Sequence, residues 1–411
     1  MISFNSFSLD NGLRVLVHED SSVQIAVLNL LYQVGSRNEH PNKTGFAHLF
    51  EHLMFGGSKN IPSYDEPLQK VGGENNAFTN TDITNYYLTV PAANIETGFW
   101  LESDRMLSLS FDPQVLEVQR KVVIEEFKQR YLNQPYGDVW LKLRPLAYTQ
   151  HPYQWATIGK EISHIENATM DDVQTFFYQH YRPNNATLVV AGNVTTAQVK
   201  VLAEKWFGPI PSGEKTEKAL PQEPKQKEKR IQTVRAKVPA NALYMAWHMP
   251  GRFESGYYAC DLLSDVLSRG KSSRLFQTLV KEKQIFSSIS SFVTGTIDPG
   301  LFVVSGRLSD GITPEQGEHE VQIVLEKLKQ EIKEEELTKV KNQAQSLHVF
   351  GEIEVMNRAM NLAFASLSGD AGLVNKEADL IASVTKEELV SAAKSILREE
   401  NCNVLYYLKE N

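Results

Sequence analysis

The sequence has few cysteines, no long apolar run and no excess of basic residues, and each shortage excludes a class of protein. Its two cysteines, Cys260 and Cys402 in 411 residues, match no metal-binding spacing and exclude a disulfide framework, which fits a reducing compartment. Lys and Arg number 42 against 50 Asp and Glu, so no basic patch predicts a nucleic-acid partner. No apolar run reaches the roughly 18 residues that a membrane span needs.

The N-terminal segment MISFNSFSLDNGLRVLV also lacks the pattern of a secretory signal. It has no basic start followed by an apolar stretch. We therefore expect a cytoplasmic protein, or a periplasmic one if a signal peptide has been removed.

The length and the residue patterns predict two domains. A chain of 411 residues exceeds what one hydrophobic core usually serves. Residues 209–231 are rich in Pro, Lys and Glu and almost free of apolar side chains, which is typical of a linker. The flanking segments, 1–208 and 232–411, repeat an order of strands, helices and a late strand. We therefore predict an α+β protein built from a duplicated unit.

The stretch GFAHLFEHLMFGG, residues 45–57, places three polar side chains in an apolar run. We predict a helix from about Thr44, its N-cap, to Phe55. His48, Glu51 and His52 then share one helical face, and the opposite face is apolar. Histidines at i and i+4 can reach one tetrahedral zinc ion, with the glutamate beside it. The alternative is two core histidines and a surface glutamate, so a third ligand is needed.

The best candidate for this ligand lies in PQVLEVQRKVVIEEFKQR, residues 113–130. On a helical wheel, Glu126 falls within the apolar stripe, where an unpaired carboxylate would be costly. The stripe residues within about 60° of it are Val115, Gln119, Val122 and Val123. Glu125 lies at the edge of the stripe. We favour Glu126 over Glu125 as the ligand. The alternative, that this segment is a solvated charge cluster, suits Glu125 and Lys128 but not Glu126.

His48-Leu49-Phe50-Glu51-His52 is the inverted zinc motif H-x-x-E-H, and with it the sequence resembles the pitrilysin/insulinase family of zinc peptidases. The resemblance also rests on GGENNAFTNTDITNYYLTVP, QRKVVIEE, HPYQWATIGK and YRPNNATLVVAGNV, and it is strongest from about residue 10 to 195. At this length the chain is similar to the smaller bacterial, mitochondrial-processing-peptidase-like members.

The resemblance implies a fold and a chemistry. Two homologous α/β-sandwich domains, each a mostly antiparallel sheet covered by helices, would form a clam-shell chamber, and only the N-terminal one would bind zinc. His48, His52 and Glu126 would bind one Zn²⁺ per chain. Glu51 would be the general base that activates a zinc-bound water to hydrolyse peptides or unfolded polypeptide segments.

The resemblance also implies a substrate-binding strand. Asn76, Ala77, Phe78 and Thr79 would lie on an edge strand that pairs with extended peptide by β-addition. The alternative is a polar edge strand without a ligand. One departure lies seven residues before Glu126: family members often have a glutamate there, and Gln119 can hydrogen-bond a group beside a metal ligand but cannot act as a carboxylate.

A larger departure lies in the second half. After Ser273-Arg274-Leu275, many family members have an Arg and, seven residues later, a Tyr that assist catalysis. Val280 and Ser287 occupy these positions here. Some family members are heterodimers in which a homologous partner supplies that pair. The resemblance thus implies such a partner, or else a homodimer. The competing hypothesis is a non-catalytic or slow peptide-binding subunit.

Overall fold

The computed structural model describes residues 1–214 and 219–410. Residues 215–218, which belong to the predicted linker, lie outside the described residues. The strands are β1 (Asn5–Ser8), β2 (Arg14–Glu19), β3 (Ile25–Tyr32), β4 (Glu74–Thr79), β5 (Thr84–Pro91), β6 (Ala186–Gly192), β7 (Arg230–Ala236), β8 (Ala242–Met249), β9 (Phe286–Val293), β10 (Gly300–Leu308) and β11 (Cys402–Lys409). Strand β7 begins at Arg230, so the last two residues of the predicted linker lie in this strand.

The helices of the first half are α1 (Phe46–Leu53), α2 (Asp65–Lys70), α3 (Ile95–Leu107), α4 (Pro113–Phe127), α5 (Val139–Ala147), α6 (Ile162–Glu166), α7 (Met170–His180) and α8 (Thr196–Trp206). Those of the second half are α9 (Tyr257–Ser268), α10 (Pro314–Gln330), α11 (Glu334–Gly351), α12 (Val355–Ser366), α13 (Glu377–Ser383) and α14 (Lys386–Ile396). None of the helices in the described ranges is both long and apolar enough to cross a membrane.

Two mixed, mostly antiparallel sheets confirm the predicted fold class. The first has the order β1-β2-β6-β3-β5-β4, and the second has the order β7-β11-β8-β10-β9. Each contains one parallel pair, β2 with β6 and β7 with β11, while its other pairs are antiparallel. The five strands of the second sheet therefore repeat the arrangement of the last five strands of the first, as duplication predicts.

The compact units differ from a simple division of the chain at the linker. One unit comprises Met1–Lys128, Trp155–Leu220 and Val349–Lys376, and the other comprises Gln129–Gln154, Pro221–His348 and Glu377–Asn411. Each half of the sequence thus contributes a segment to the other unit.

The two segments that join the unit of the opposite half, residues 129–154 and 349–376, each carry an apolar helix that covers a face of that unit's sheet. Helix α5 places Val139, Leu143 and Ala147 in a buried cluster with Ala242 and Ala246 of β8. The alternate β8 residues Leu243, Met245 and Trp247 point into the other core of that sheet, with α9, α10 and α14. In the first unit, α12 packs its apolar stripe on β2, β3 and β6. Period-2 burial on both faces explains why these strands read as apolar runs.

Candidate metal centre

Helix α1 presents the predicted histidine face and buries the opposite one. The residues of the predicted apolar face, Phe46, Leu49, Phe50 and Leu53, are all buried. The predicted N-cap is wrong: the helix begins at Phe46 after Gly45, which has a φ of 88°. The hydroxyl of Thr44 instead accepts a hydrogen bond from the Lys160 amide (2.8 Å) and contacts Nδ1 of His164 (2.8 Å). The backbone of Gly45, the observed N-cap, is in the left-handed conformation, which glycine adopts readily and residues with a Cβ, such as Thr, rarely adopt.

Helix α4 brings Glu126, and not Glu125, to α1. The side chain of Glu125 is 58% exposed and pairs with Lys128 at 2.7 Å. Glu126 is half-buried, between the buried Val123 and the 43% exposed Val122. The stripe that predicted Glu126 is therefore only partly buried, because one side of it faces solvent. The choice between the two carboxylates nevertheless agrees with the geometry.

The three predicted ligands converge on one point. One carboxylate oxygen of Glu126, Oε2, lies 3.6 Å from Nε2 of His48 and 3.5 Å from Nε2 of His52. The two imidazole centroids are 4.9 Å apart and nearly perpendicular. Among the described residues, no other group of three or more His, Cys, Asp or Glu side chains has ligand atoms so close together.

These distances fit zinc. Zinc–nitrogen bonds of 2.0–2.1 Å and similar zinc–oxygen bonds at the tetrahedral angle separate ligand atoms by about 3.3–3.5 Å. The observed separations are 3.5 and 3.6 Å, so a small side-chain adjustment would complete the coordination. Two imidazoles and one carboxylate also form a donor set typical of catalytic zinc sites, which keep a fourth position open.

Glu51 lies on the same helix, one residue before His52, and is half-buried. Burial raises the pKa of its carboxyl, and the hydroxyl and backbone amide of Thr79 partly offset this by hydrogen bonding to it. The positive charge on a protonated His52 would lower the same pKa, whereas the Glu126 carboxylate raises it. A carboxylate with a raised pKa is a better proton acceptor at neutral pH. The contact with Thr79 also links Glu51 to the end of β4.

The predicted substrate strand is β4, and it lies at the edge of its sheet. Its recorded partner is β5, with Asn76 opposite Tyr87 and Ala77 opposite Tyr86. The amide of Ala77 donates to Oδ1 of Asn76 at 2.8 Å, so a side chain covers part of this edge. The ring of Phe78 stacks on Phe364 of α12, with the centroids 6.2 Å apart. Gln119 is half-buried on α4, seven residues before Glu126.

Neither position expected for the Arg and Tyr pair carries a substitute with equivalent chemistry. Val280 packs against the core of the second unit. Ser287 donates its hydroxyl to the carbonyl of Arg307 at 3.2 Å. Neither side chain can offer the charge of an arginine or the reach of a tyrosine.

One buried carboxylate at this site was not predicted from the sequence. Glu39 is 6% exposed and accepts hydrogen bonds from the amides of Gly45 (2.9 Å) and Ala47 (2.8 Å), which begin α1. Burial raises its pKa to about 8, although these amides and the Trp155 indole lower it. The position of Glu39, six residues before Gly45, matches no local capping pattern, and only the folded chain brings the groups together.

Comparison with known families agrees with this geometry. Residues 14–161, which include His48, His52 and Glu126, match the family described as Insulinase (Peptidase family M16). Residues 167–344 match the one described as Peptidase M16 inactive domain. Zinc protease PqqE of Helicobacter pylori is 34% identical over 349 residues, which cover 82% of this chain and 77% of that protein. The chain therefore belongs to the insulinase family of peptidases, family M16.

Two further relatives place the chain within this family. The uncharacterized zinc protease YmxG of Bacillus subtilis is 27% identical over 305 residues, 73% of this chain and 72% of that protein. The crystal structure of a protease from Helicobacter pylori superposes with a TM-score of 0.92 at 29% identity. The superposition covers 99% of this chain and 100% of the Helicobacter pylori chain, so the two proteins share the two-domain fold throughout.

Proposed function

We propose that this chain is a zinc-dependent metalloendopeptidase that hydrolyses peptides or unfolded polypeptide segments. The observation that carries the proposal is the convergence of His48, His52 and Glu126, with Glu51 on the same helix. Among the relatives, the names of PqqE and YmxG include zinc protease, which supports the same class of reaction.

Each residue has a distinct task in the proposed reaction. His48, His52 and Glu126 would hold one Zn²⁺, which when bound would polarise the scissile carbonyl and lower the pKa of water. Glu51 accepts the proton of the attacking water and passes it to the leaving amine. The hydroxyl and amide of Thr79, which lower the pKa of the Glu51 carboxyl, would help to orient it.

The edge strand β4 gives the proposed substrate an extended conformation. A peptide added beside Asn76 and Ala77 would form main-chain hydrogen bonds and displace the Asn76 side chain from the Ala77 amide. Because Thr79 ends this strand and contacts Glu51, the bound peptide would run towards the proposed base. Main-chain pairing favours unfolded segments, since folded proteins rarely expose a free strand.

Cleavage of an unstructured, fluorescence-quenched peptide tests this function. We expect purified chain to cleave the peptide, a chelator to abolish cleavage, and stoichiometric zinc to restore it. Magnesium and calcium serve as control ions, because a site with two imidazoles disfavours them. Cleavage that persists after the metal has been removed would contradict the proposal.

The second candidate is a zinc-bearing subunit that needs a homologous partner for full turnover. Val280 and Ser287 favour it, since neither can polarise a carbonyl as Arg and Tyr do. We propose that a partner chain carrying this pair completes the site. Addition of such a chain should raise turnover many-fold, and a partner variant lacking its Arg and Tyr is the control. Full turnover by the single chain would contradict this candidate, and binding of peptide without cleavage by either preparation would favour a non-catalytic role.

A further inference from the structure

The proposed function leaves one buried ionisable residue of the site without a role, and that residue is Glu39. Its two carboxyl oxygens each accept a backbone hydrogen bond at the start of α1, Oε2 from Gly45 and Oε1 from Ala47. Because Glu39 is only 6% exposed, water cannot readily replace its side chain as the acceptor for these two amides.

Helix α1 needs such a group because it cannot cap itself. The first amides of a helix have no partner within it, and a Ser, Thr, Asp or Asn side chain at the N-cap usually serves them. The N-cap of α1 is Gly45, which has no side chain. The helix has 8 residues, and helices of this length depend on contacts outside themselves.

The first turn of α1 carries one of the proposed ligands. Phe46 and Ala47 are the first two helical residues, and His48 is the third. His52 lies in the last turn, and Glu126 comes from α4. If the first turn frayed, His48 would leave the cluster while the other two side chains stayed. The orientation of His48 therefore depends on whatever holds the N-terminus of the helix.

Glu39 is itself fixed to the edge-strand hairpin. The amides of Ser36 and Arg37 donate to the carbonyls of Asn80 (3.1 Å) and Thr81 (2.9 Å), in the turn between β4 and β5. The loop that carries Glu39, residues 35–39, approaches this turn so closely that a Cβ on Gly35 would lie 2.5 Å from the Asp82 nitrogen. The indole of Trp155 donates to the carbonyl of Ser36 at 2.8 Å.

We propose that Glu39 is a positioning residue that fixes the first turn of α1, and with it His48, relative to the edge strand β4. Ser36 and Arg37 bond to the turn after Thr79, the Glu39 amide donates to the Ser36 carbonyl at 3.3 Å, and the Glu39 side chain accepts from the first amides of α1. The inference rests on the proposed zinc site, because it concerns the geometry of a zinc ligand. It predicts that loss of the Glu39 contact weakens zinc binding without removing any ligand.

The test compares Glu39→Gln with Thr44→Val. In Glu39→Gln, an amide nitrogen replaces an acceptor oxygen and faces a backbone N–H, which leaves one amide of α1 unsatisfied. Thr44→Val removes two partly buried hydrogen bonds one residue before the N-cap, and neither of them involves the first turn of α1. It therefore controls for general destabilisation.

The readouts are the zinc dissociation constant, from chelator competition, and the visible spectrum of the Co²⁺-substituted chain. We expect Glu39→Gln to raise the dissociation constant about tenfold and to change the Co²⁺ spectrum, as loss of groups that orient metal ligands typically does. The zinc dissociation constant of Thr44→Val should stay within about twofold of that of the unaltered chain, well below the tenfold change that the loss of an orienting group causes.

A rise in the zinc dissociation constant of Glu39→Gln well below tenfold, or an equal rise in Thr44→Val, would overturn the inference. If Glu39→Gln fails to fold, Glu39→Asp is judged by the same criteria, because its shorter side chain keeps the carboxyl group but withdraws its oxygens from the two amides. If the unaltered chain itself binds no zinc, the proposed function fails instead, and the two failures are thereby distinguished.

Discussion

Truncation of Glu126 tests whether the third ligand is correctly assigned. In Glu126→Ala, the oxygen now 3.5 and 3.6 Å from the two histidine nitrogens is lost, and two neutral imidazoles remain. Loss of groups that merely orient a ligand weakens metal binding by about 10–100-fold. Loss of the ligand and its charge should therefore exceed about 100-fold, or about 2.7 kcal/mol.

The neighbouring Glu125 provides the matched control. Its side chain is 58% exposed and pairs with Lys128, an arrangement that contributes little to stability or to the site. Zinc dissociation constants of Glu126→Ala and Glu125→Ala, measured by chelator competition in one buffer, give the comparison. Equal effects of the two variants, or a loss of zinc affinity below about tenfold in Glu126→Ala, would refute the assignment. Removal of a ligand must weaken zinc binding more than removal of a group that only orients a ligand.

Three further predictions address the substrate strand, the buried carboxylate and the core. Ala77→Pro removes an N–H from the edge of β4 and should raise KM for an unstructured peptide about tenfold, with zinc affinity unchanged; an unchanged KM would argue against β-addition there. The folded-state pKa of Glu39, about 8, exceeds its ordinary value of 4.5, so the folded chain holds the proton more tightly. The free energy of unfolding of the metal-free chain, measured relative to Glu39→Gln, should therefore fall as pH rises from about 5 to 8, by at most about 1.4 kcal/mol per pH unit; a rise would show the pKa to be lowered instead. Arg105→Leu would leave the 1% exposed Glu102 buried without its ion-pair partner, with the Tyr64 hydroxyl still donating to it, and should destabilise the chain by about 3–5 kcal/mol in denaturant unfolding. A loss below about 1 kcal/mol would mean that the remaining contacts compensate the carboxylate.

The helical period predicted most of α1 and its chemistry from the sequence. Which residues share a face follows from 3.6 residues per turn, so the separation of His48, Glu51 and His52 from Phe50 needs no tertiary information. The ends of the helix were harder to predict. Thr44 is a favourable N-cap by residue type, but Gly45 takes that position because tertiary contacts hold Thr44 elsewhere.

The parts that could not be predicted depend on contacts distant in sequence. Glu126 was inferred from the unfavourable burial of a carboxylate, although Val122 beside it is 43% exposed. Glu39 reaches α1 only after a tight turn, which no fixed spacing describes. The sequence likewise does not show that α5 and α12 belong to the units of the opposite halves, because an apolar stripe predicts that a helix is buried but does not specify which sheet it covers.

The most direct test of the central claim is Glu51→Gln, assayed for both zinc content and peptide cleavage. The change is nearly isosteric, and it leaves His48, His52 and Glu126 in place. We predict one equivalent of zinc per chain in the variant and a loss of cleavage, measured with any required partner present, of at least about 100-fold, the lower end for a general base. Cleavage close to that of the unaltered chain would contradict the assignment of Glu51 as the base, and loss of zinc would show that Glu51 belongs to the metal site itself.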